Sequence, residues 1–256
     1  QHLGSNTWGG MVNYQMGYRL SAGDYNGDEL CDIAISSVSW AMQSRGIVYL
    51  YSGRAAIGLE LGGLSPLPVA IIESDEPQDQ NGSLGRKMIS ADLNGDDLDD
   101  LVISHHTNDK FLTNQGTVHV FYGGGAINWD SDSDSVLLLS PYGAEWTYFG
   151  EIHDQLSNDI AAIDYDGIPP LDLMVTSMYG DGVNGWDTGE LRVFIGSDEG
   201  FNQNPELTLH GPSSAFQMFE SAACLGDLTG DGIPDWIAQS NRQGSEYWHY
   251  GAQYLI

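Results

Sequence analysis

Residues 24–32 read Asp-Tyr-Asn-Gly-Asp-Glu-Leu-Cys-Asp, and this nine-residue acidic pattern returns three more times. It is Asp-Leu-Asn-Gly-Asp-Asp-Leu-Asp-Asp at 92–100, Asp-Tyr-Asp-Gly-Ile-Pro-Pro-Leu-Asp at 164–172 and Asp-Leu-Thr-Gly-Asp-Gly-Ile-Pro-Asp at 227–235. We call these segments acidic loops one to four. Side-chain oxygens occupy positions 1, 3, 5 and 9, apart from an isoleucine at position 5 of loop three, and glycine at position 4 permits a sharp turn. Because Ca²⁺ takes roughly six to eight oxygen ligands, the pattern predicts calcium loops.

The predicted ligands are four side chains and one backbone carbonyl in each complete loop. They are Asp24, Asn26, Asp28, the carbonyl of Leu30 and Asp32; Asp92, Asn94, Asp96, the carbonyl of Leu98 and Asp100; and Asp227, Thr229, Asp231, the carbonyl of Ile233 and Asp235. Loop three offers Asp164, Asp166 and Asp172 but has Ile168 at position 5, so we expect a degenerate site there. The sequence thus predicts three calcium sites and a degenerate fourth. The cation would be structural, because it relieves repulsion between neighbouring carboxylates. The alternative is a set of Asx turns that cap their own backbone.

Other landmarks recur in register with the acidic loops. A short apolar run follows each loop, and then a pair of glycines seven residues apart brackets β-forming residues: Gly46/Gly53, Gly116/Gly123, Gly189/Gly196 and Gly244/Gly251. Fourth strands are expected at 69–72, 136–139 and 207–209. Four-stranded antiparallel units repeated radially form a β-propeller, so we expect one all-β domain over 1–256. Its blades are predicted at roughly 11–72, 80–140, 147–210 and 212–256; the alternative is a row of hairpins or a sandwich.

These residues resemble a known family. The pattern Asp-x-Asn-Gly-Asp-x-x-x-Asp, entered through steps such as Met16-Gly17 and Leu84-Gly85, is similar to the FG-GAP repeat of integrin α-subunit propellers. The resemblance spans about residues 11–251, with the Phe-Gly and Gly-Ala-Pro signatures eroded. It implies calcium between the first and second strands of each blade, on the lower face, and ligands on the upper face.

Integrin heads contain more blades than the four units found here. Residues 1–15 would close a ring of four by pairing with the last blade, because only Ala-Gln-Tyr-Leu-Ile follows Gly251. Alternatively, the chain is part of a larger propeller.

If the ring closes, Cys31 and Cys224 lie in neighbouring blades. The two cysteines would then form either a disulfide latch or two separate buried thiols, and the sequence does not decide between these alternatives.

The charge of the chain restricts its partners. Eight Lys and Arg residues against 36 Asp and Glu residues give a net charge of −28, which argues against nucleic acid and anionic membranes. No apolar run reaches the roughly 18 residues of a membrane span. Because loop-only calcium sites suit millimolar calcium, we expect an extracellular or cell-surface location.

Few residues point to further chemistry. His105 and His106 follow the second strand of unit two, and Trp40, Tyr179 and Trp186 lie in the equivalent connections of units one and three. These connections between the second and third strands are expected on the face opposite the acidic loops. Aromatic rings there would stack on sugar rings or contact a protein partner. The alternatives are an exposed polar turn for the histidines and packing between blades for the aromatic residues. No Gly-x-Ser-x-Gly elbow or Ser-His-Asp set is evident.

The expected function is therefore adhesion or ligand recognition by a calcium-binding β-propeller, with a glycan or protein as ligand and no catalysis of its own. Two alternatives remain. One is a structural subunit of an extracellular assembly that joins copies through exposed strand edges. The other is the propeller scaffold of a secreted enzyme that cleaves polysaccharides or lipids.

Overall fold

The computed structural model describes residues 14–39, 46–55, 63–65, 67–74, 83–125, 127, 136–215, 217–230, 235–240 and 252–255. Within these ranges the chain is all-β, as predicted, with one 3-10 turn at Pro141–Gly143. The strands of the first half are β1 Tyr14–Gly23, β2 Asp32–Ser39, β3 Ile47–Tyr51, β4 Gly53–Arg54, β5 Gly63–Leu64, β6 Ala70–Glu73, β7 Met88–Ala91, β8 Asp100–His105 and β9 Thr117–Phe121. Those of the second half are β10 Leu137–Leu139, β11 Trp146–Phe149, β12 Ile160–Ile163, β13 Asp172–Ser177, β14 Glu190–Phe194, β15 Leu207–His210, β16 Ser221–Gly226, β17 Asp235–Ser240 and β18 Ala252–Leu255.

The strands form four main sheets in chain order. Sheet one has the order β1-β2-β3-β6-β10, sheet two β11-β9-β8-β7, sheet three β12-β13-β14-β15 and sheet four β16-β17-β18, while β4 and β5 form a small hairpin. Within each main sheet the first two strands are antiparallel and are joined by one acidic loop. The second strand therefore starts at position 9 of its loop, and all four loops occupy equivalent ends of their sheets.

Successive sheets pack through their first strands. β1 lies against β7, β7 against β12, and β12 against β16. Buried apolar clusters join successive units: one contains Val48 and Leu101, the next Val102 and Val175, and the third Leu191 and Met218. The core is thus a series of layers between sheets. No helix within the described ranges is long and apolar enough to cross a membrane.

The fourth strand of unit two differs from the prediction. Residues 136–139 were expected to supply it, but β10 pairs in parallel with β6 and so extends sheet one. β11 instead pairs antiparallel with β9. Trp146 of β11 explains the choice: it is 5 % exposed and packs edge-on against Phe194, with ring centroids 5.1 Å apart. Its burial between sheets two and three favours β11. The second unit therefore ends at Phe149 rather than near residue 140.

Sheet four also differs from the sequence analysis. The third strand was expected between Gly244 and Gly251, but the strand that pairs with β17 is β18, which follows Gly251 and places Ile237 opposite Leu255. Residues 1–13 and 241–251, on which ring closure and the third strand of this unit were predicted to depend, lie outside the described residues.

A bulge shifts the entry into sheet four by one residue. Ser157, seven residues before acidic loop three, has a φ of 65°. The residue with the matching backbone before loop four is Phe219, with a φ of 64°, and it lies eight residues before the loop. An irregularity in β16 between Cys224 and Gly226 accommodates the extra residue. The residue with positive φ that precedes the acidic loop is therefore Phe219 in unit four, one position earlier than in unit three.

The glycine pairs mark two close backbone contacts. Gly116 has a φ of +69°, and a Cβ there would collide with the backbone of Leu156, which begins the next unit. A Cβ on Gly123 would lie 2.6 Å from Leu98 Cβ and 2.8 Å from the Asp99 carbonyl oxygen. The first glycine therefore allows neighbouring units to touch, and the second allows the third strand to approach the acidic loop of its own unit.

Replacing Gly116 by alanine is expected to destabilise the chain by about 2–4 kcal/mol, because it combines left-handed strain with a backbone clash. Gly143→Ala is the matched control, since a Cβ at Gly143 meets nothing within 4 Å. Chemical denaturation of both variants measures the difference. Equal free energies of unfolding would contradict the contact.

Candidate functional site

The aspartate at position 9 joins three parts of its unit in acidic loops one to three. In loop one, the Asp32 carboxylate is fully buried and starts β2. One oxygen accepts a hydrogen bond from the backbone N–H of Tyr25 at 3.1 Å, and the other accepts from the N–H of Gly53 at 2.8 Å. The side chain thus connects the start of the loop, the second strand and the end of the third strand.

The same junction recurs along the chain. Asp100 accepts from the N–H groups of Leu93 at 2.7 Å and Gly123 at 2.9 Å. Asp172 accepts from those of Tyr165 at 2.6 Å and Gly196 at 2.9 Å, and in loop four Asp235 accepts from Leu228 at 2.7 Å and Thr229 at 2.8 Å. A Cβ on Gly53, Gly123 or Gly196 would lie 2.8 Å or less from the carbonyl oxygen at position 8 of its loop, so this junction requires the second glycine of each described pair. The bonds hold loops one to three at the ends of their sheets, whereas both donors to Asp235 lie at the start of loop four itself.

The aspartate at position 1 folds the loop around itself. Asp24 accepts hydrogen bonds from the N–H groups of Gly27 at 2.7 Å and Glu29 at 2.8 Å. Asp92 accepts from Gly95 at 2.6 Å and Asp97 at 3.1 Å. These are the bonds of the Asx-turn alternative. Each carboxylate oxygen has two lone pairs, so the bonds leave acceptor capacity for a cation.

Positions 3 and 5 are exposed or half-buried side chains close to each other. The Asn26 amide donates to Asp28 at 3.3 Å, and the Asn94 amide donates to Asp96 at 3.0 Å. Asp28 and Asp96 in turn accept from the backbone N–H at position 7, from Leu30 and Leu98, both at 2.9 Å. The predicted side-chain ligands of loops one and two therefore belong to one connected turn in each loop.

Acidic loop three lacks one of these bonds. Pro169 stands at position 6, where Glu29 and Asp97 donate in the other loops, and proline has no N–H. Asp164 Oδ1 is buried and has no hydrogen-bond partner among the described residues. Oxygens of Asp164, Asp166 and Asp172 lie within 4.8 Å of one another. The loop that the sequence ranked weakest thus gathers three carboxylates around a buried acceptor.

The donor set of acidic loop three fits a hard divalent cation, and among the described residues it is the one group of three acidic side chains whose oxygens lie this close together. Every predicted side-chain ligand in the described loops offers oxygen, which is the ligand that Ca²⁺ prefers. The buried Asp164 oxygen also fits a cation, because an unsatisfied buried polar group costs about 1–3 kcal/mol and more when charged. Two predicted ligands of loop four, Asp231 and Ile233, lie outside the described residues.

The buried aspartates have raised pKa values. Burial raises the pKa of Asp32 to about 6; its two backbone donors oppose the rise, and the nearby Asp28 and Asp24 charges add to it. Burial likewise raises the pKa of Asp100 to about 7, with smaller contributions from Asp96 and Asp92. The pKa of Asp172 is raised for the same main reason. Ionising these carboxyls is therefore unfavourable unless a positive charge is nearby.

The two histidines predicted at the opposite face are not exposed. His105 is 0 % exposed, and its Nδ1 lies 3.2 Å from the Asn108 amide nitrogen. His106 is also buried beside Arg86, and burial, with the Arg86 charge, lowers its pKa to about 3. Because both side chains are buried, they are not available to contact a ligand at the surface.

The aromatic residues of unit three lie at the surface of that face. Trp186 is 60 % exposed, and Tyr179 is half-buried. The Trp186 carbonyl oxygen accepts from the N–H of Ala215 at 2.9 Å, which anchors its backbone. The connection from Ser177 to Thr188 thus presents an exposed indole on a fixed backbone. Trp40 lies outside the described residues.

Sequence patterns gave no signal for a buried ionic group below this connection. Arg192 lies between Glu190 and Asp154, and His210 Nδ1 is 2.9 Å from Glu190 Oε1. Burial raises the pKa of Asp154 and of Glu190, and the Arg192 charge opposes both rises. A Cβ on Gly180 would meet the Glu190 side chain, so the group packs directly against the connection that carries Trp186.

Of the two alternatives for the thiols, the disulfide latch is not formed. Cys31 is free and exposed at position 8 of loop one, rather than buried as the separate-thiol alternative proposed. The Cys224 side chain lies outside what the structure describes.

Comparison with known proteins gives a partial match. No protein-family model matches the chain. A segment of 140 residues, 54 % of the chain, is 31 % identical to the human phosphatidylinositol-glycan-specific phospholipase D. The match covers 15 % of that protein. It shows local similarity to one part of a much longer chain.

In chelator, the free energy of unfolding is expected to fall as pH rises from about 4 to about 7. The folded chain holds protons on Asp32 and Asp100 above the ordinary pKa of 3.8, so it binds more protons than the unfolded chain in this window. Denaturation at several pH values measures the slope. Asp100→Asn is expected to flatten it, and Asp97→Asn, at an exposed position of the same loop, is the control. Equal slopes in all three proteins would refute the assignment.

Proposed function

We propose that this chain is a calcium-binding β-propeller of the FG-GAP type that recognises a glycan or protein ligand outside the cell. The observation that carries the proposal is the repeated junction at position 9. In units one to three it fixes an acidic, oxygen-rich loop at the equivalent end of successive sheets, and in unit four Asp235 holds the start of its own loop. The packing of β1, β7, β12 and β16 supports a radial arrangement, because first strands line the centre of a propeller.

Calcium has a structural role in this proposal. A cation in each loop offsets the cost of ionising the buried carboxyl groups at position 9. It also binds the lone pairs that the position-1 carboxylate oxygens do not use in hydrogen bonds. We include acidic loop three, because Asp164 carries the buried oxygen without a partner. The millimolar affinity typical of extracellular modules and the net charge of −28 both suit a location outside the cell.

Ligand recognition is assigned to the face opposite the acidic loops. Trp186 offers an exposed ring whose backbone is held by Ala215 and whose connection rests on the Arg192 group. Fixed aromatic rings of this kind stack on sugars or anchor protein interfaces. The match to an enzyme named for phosphatidylinositol glycans favours a glycan as the first ligand to test.

The same match supports a second candidate. The chain would then be the propeller scaffold of an enzyme that cleaves lipid-linked glycans, with the catalytic residues on its own surface. Incubating the chain with phosphatidylinositol-glycan vesicles and measuring released lipid and glycan separates the two. Calcium-dependent retention without products supports recognition, and product release supports the enzyme.

Calcium is expected to raise the Tm of the chain. One site saturated at about 100 times its Kd adds about 2.7 kcal/mol, which corresponds to roughly 5–10 °C for a chain of this size. Differential scanning calorimetry in calcium and in chelator measures the shift, and equilibrium dialysis counts bound calcium. Asp164→Asn is expected to lower the count by one. An unchanged Tm would rule out calcium binding as proposed.

Trp186→Ala is expected to weaken glycan retention about tenfold or more, because an exposed aromatic anchor contributes at least about 1.4 kcal/mol. A glycan array probed in calcium measures retention, and the Tm of the variant should match that of the parent. Leu228→Ala, at an exposed apolar residue of acidic loop four, is the control and should leave binding intact. Equal loss in both variants would exclude Trp186 as the specific contact.

A further inference from the structure

Acidic loops one and two are directly hydrogen-bonded to each other. The backbone N–H of Asp24 donates to Asp99 Oδ2 at 2.8 Å, and the backbone N–H of Asp99 donates to the Asp24 carbonyl oxygen at 3.0 Å. Asp24 is position 1 of loop one, and Asp99 is position 8 of loop two. One residue of loop two therefore holds both backbone groups of the residue on which loop one turns.

Packing around this contact is close. A Cβ on Gly23 would lie 2.6 Å from Asp99 Oδ2, so the glycine before loop one leaves room for the carboxylate. A Cβ on Gly27 would lie 3.0 Å from Leu98 Cδ2, and the N–H of Gly124 donates to the Tyr25 carbonyl oxygen at 2.9 Å. A shift of the backbone at residues 98–100 therefore displaces loop one as well.

Asp99 lies between two predicted ligands of its own loop, the carbonyl of Leu98 and the carboxylate of Asp100. Position 8 of the other acidic loops is Cys31, Leu171 or Pro234, none of which offers a carboxylate. The contact is consequently a property of the pair formed by loops one and two. It is not part of the general nine-residue pattern.

We propose that acidic loops one and two bind calcium as a coupled pair, with Asp99 as the positioning residue that links them. The inference rests on the proposed calcium binding. A cation in loop two fixes residues 98–100, and Asp99 then fixes the backbone of Asp24 in the conformation that binds a cation in loop one. Coupling between two sites is reciprocal, so loop one aids loop two by the same factor.

The test follows each loop by the amide resonance of its position-4 glycine, Gly27 or Gly95, during a calcium titration of the full chain. Asp96→Asn removes the exposed position-5 carboxylate of loop two, and Asp28→Asn does the same in loop one. We expect Asp96→Asn to raise the calcium midpoint at Gly27 about tenfold, within the roughly 5–150-fold range of site coupling. Asp28→Asn should raise the midpoint at Gly95 by the same factor.

Asp99→Ala is expected to remove these cross-effects while both loops still bind calcium. Asp97→Asn removes the same unit of charge from loop two but leaves the Asp99–Asp24 bonds in place, so coupling should persist. Asp99→Asn keeps an acceptor oxygen and provides a second variant if the alanine form does not fold; it should retain part of the coupling.

The outcomes separate the two proposals. The coupled pair would be overturned if the calcium midpoint at Gly27 were the same in the parent chain and in Asp96→Asn. It would also be overturned if Asp97→Asn and Asp99→Ala lost the coupling equally. Either result would leave the proposal of calcium binding intact. The absence of any response at Gly27 and Gly95 in the parent chain would overturn calcium binding itself, and the coupled pair with it.

Discussion

The buried carboxylate at position 9 of the acidic loops is the interaction on which the rest of the structure depends. A carboxylate removed from water must be hydrogen-bonded, and Asp32, Asp100 and Asp172 each receive two backbone N–H groups. One donor comes from the start of the loop and the other from the glycine after the third strand. A single side chain thus sets the loop, the origin of the second strand and the position of the third.

The same aspartate connects folding with the proposed metal binding. Its two hydrogen bonds favour ionisation, but burial outweighs them, and the pKa of Asp100 rises to about 7. The remaining cost of the charge is largest when the neighbouring carboxylates at positions 1 and 5 are also ionised. In the proposed calcium site, a cation bound by these groups would remove the repulsion and favour the ionised form. The residue that joins the strands is therefore also the one whose charge the proposed calcium would stabilise.

Sequence predicted those parts of the fold that local patterns determine. The acidic loops, the strands that follow them and the glycine pairs recur in register, so the sheets could be placed along the chain. It failed where two segments compete for one position. Residues 136–139 and β11 both have β-forming sequences, and only the burial of Trp146 against Phe194 selects β11. Such tertiary contacts leave no periodic trace in the sequence.

For the candidate site, too, the sequence predicted what a local pattern determines and missed what depends on tertiary contacts. Ligand positions follow from the nine-residue pattern, whereas the role of Asp99 depends on which loops become neighbours. The paired histidines, taken as surface residues, are buried because β8 continues to His105 and the chain then turns inward beside Arg86.

The two ends of the sheets differ in which groups they present. At the acidic end, side-chain oxygens of loops one and two turn back onto their own loop and accept its backbone N–H groups. At the opposite end, the side chains of Asp181, Asn184 and Thr188 close the connection through bonds to backbone groups, and the Trp186 side chain is left 60 % exposed. Recognition needs exposed side chains on a fixed frame. This asymmetry is the physical reason for assigning metal to one end and ligand to the other.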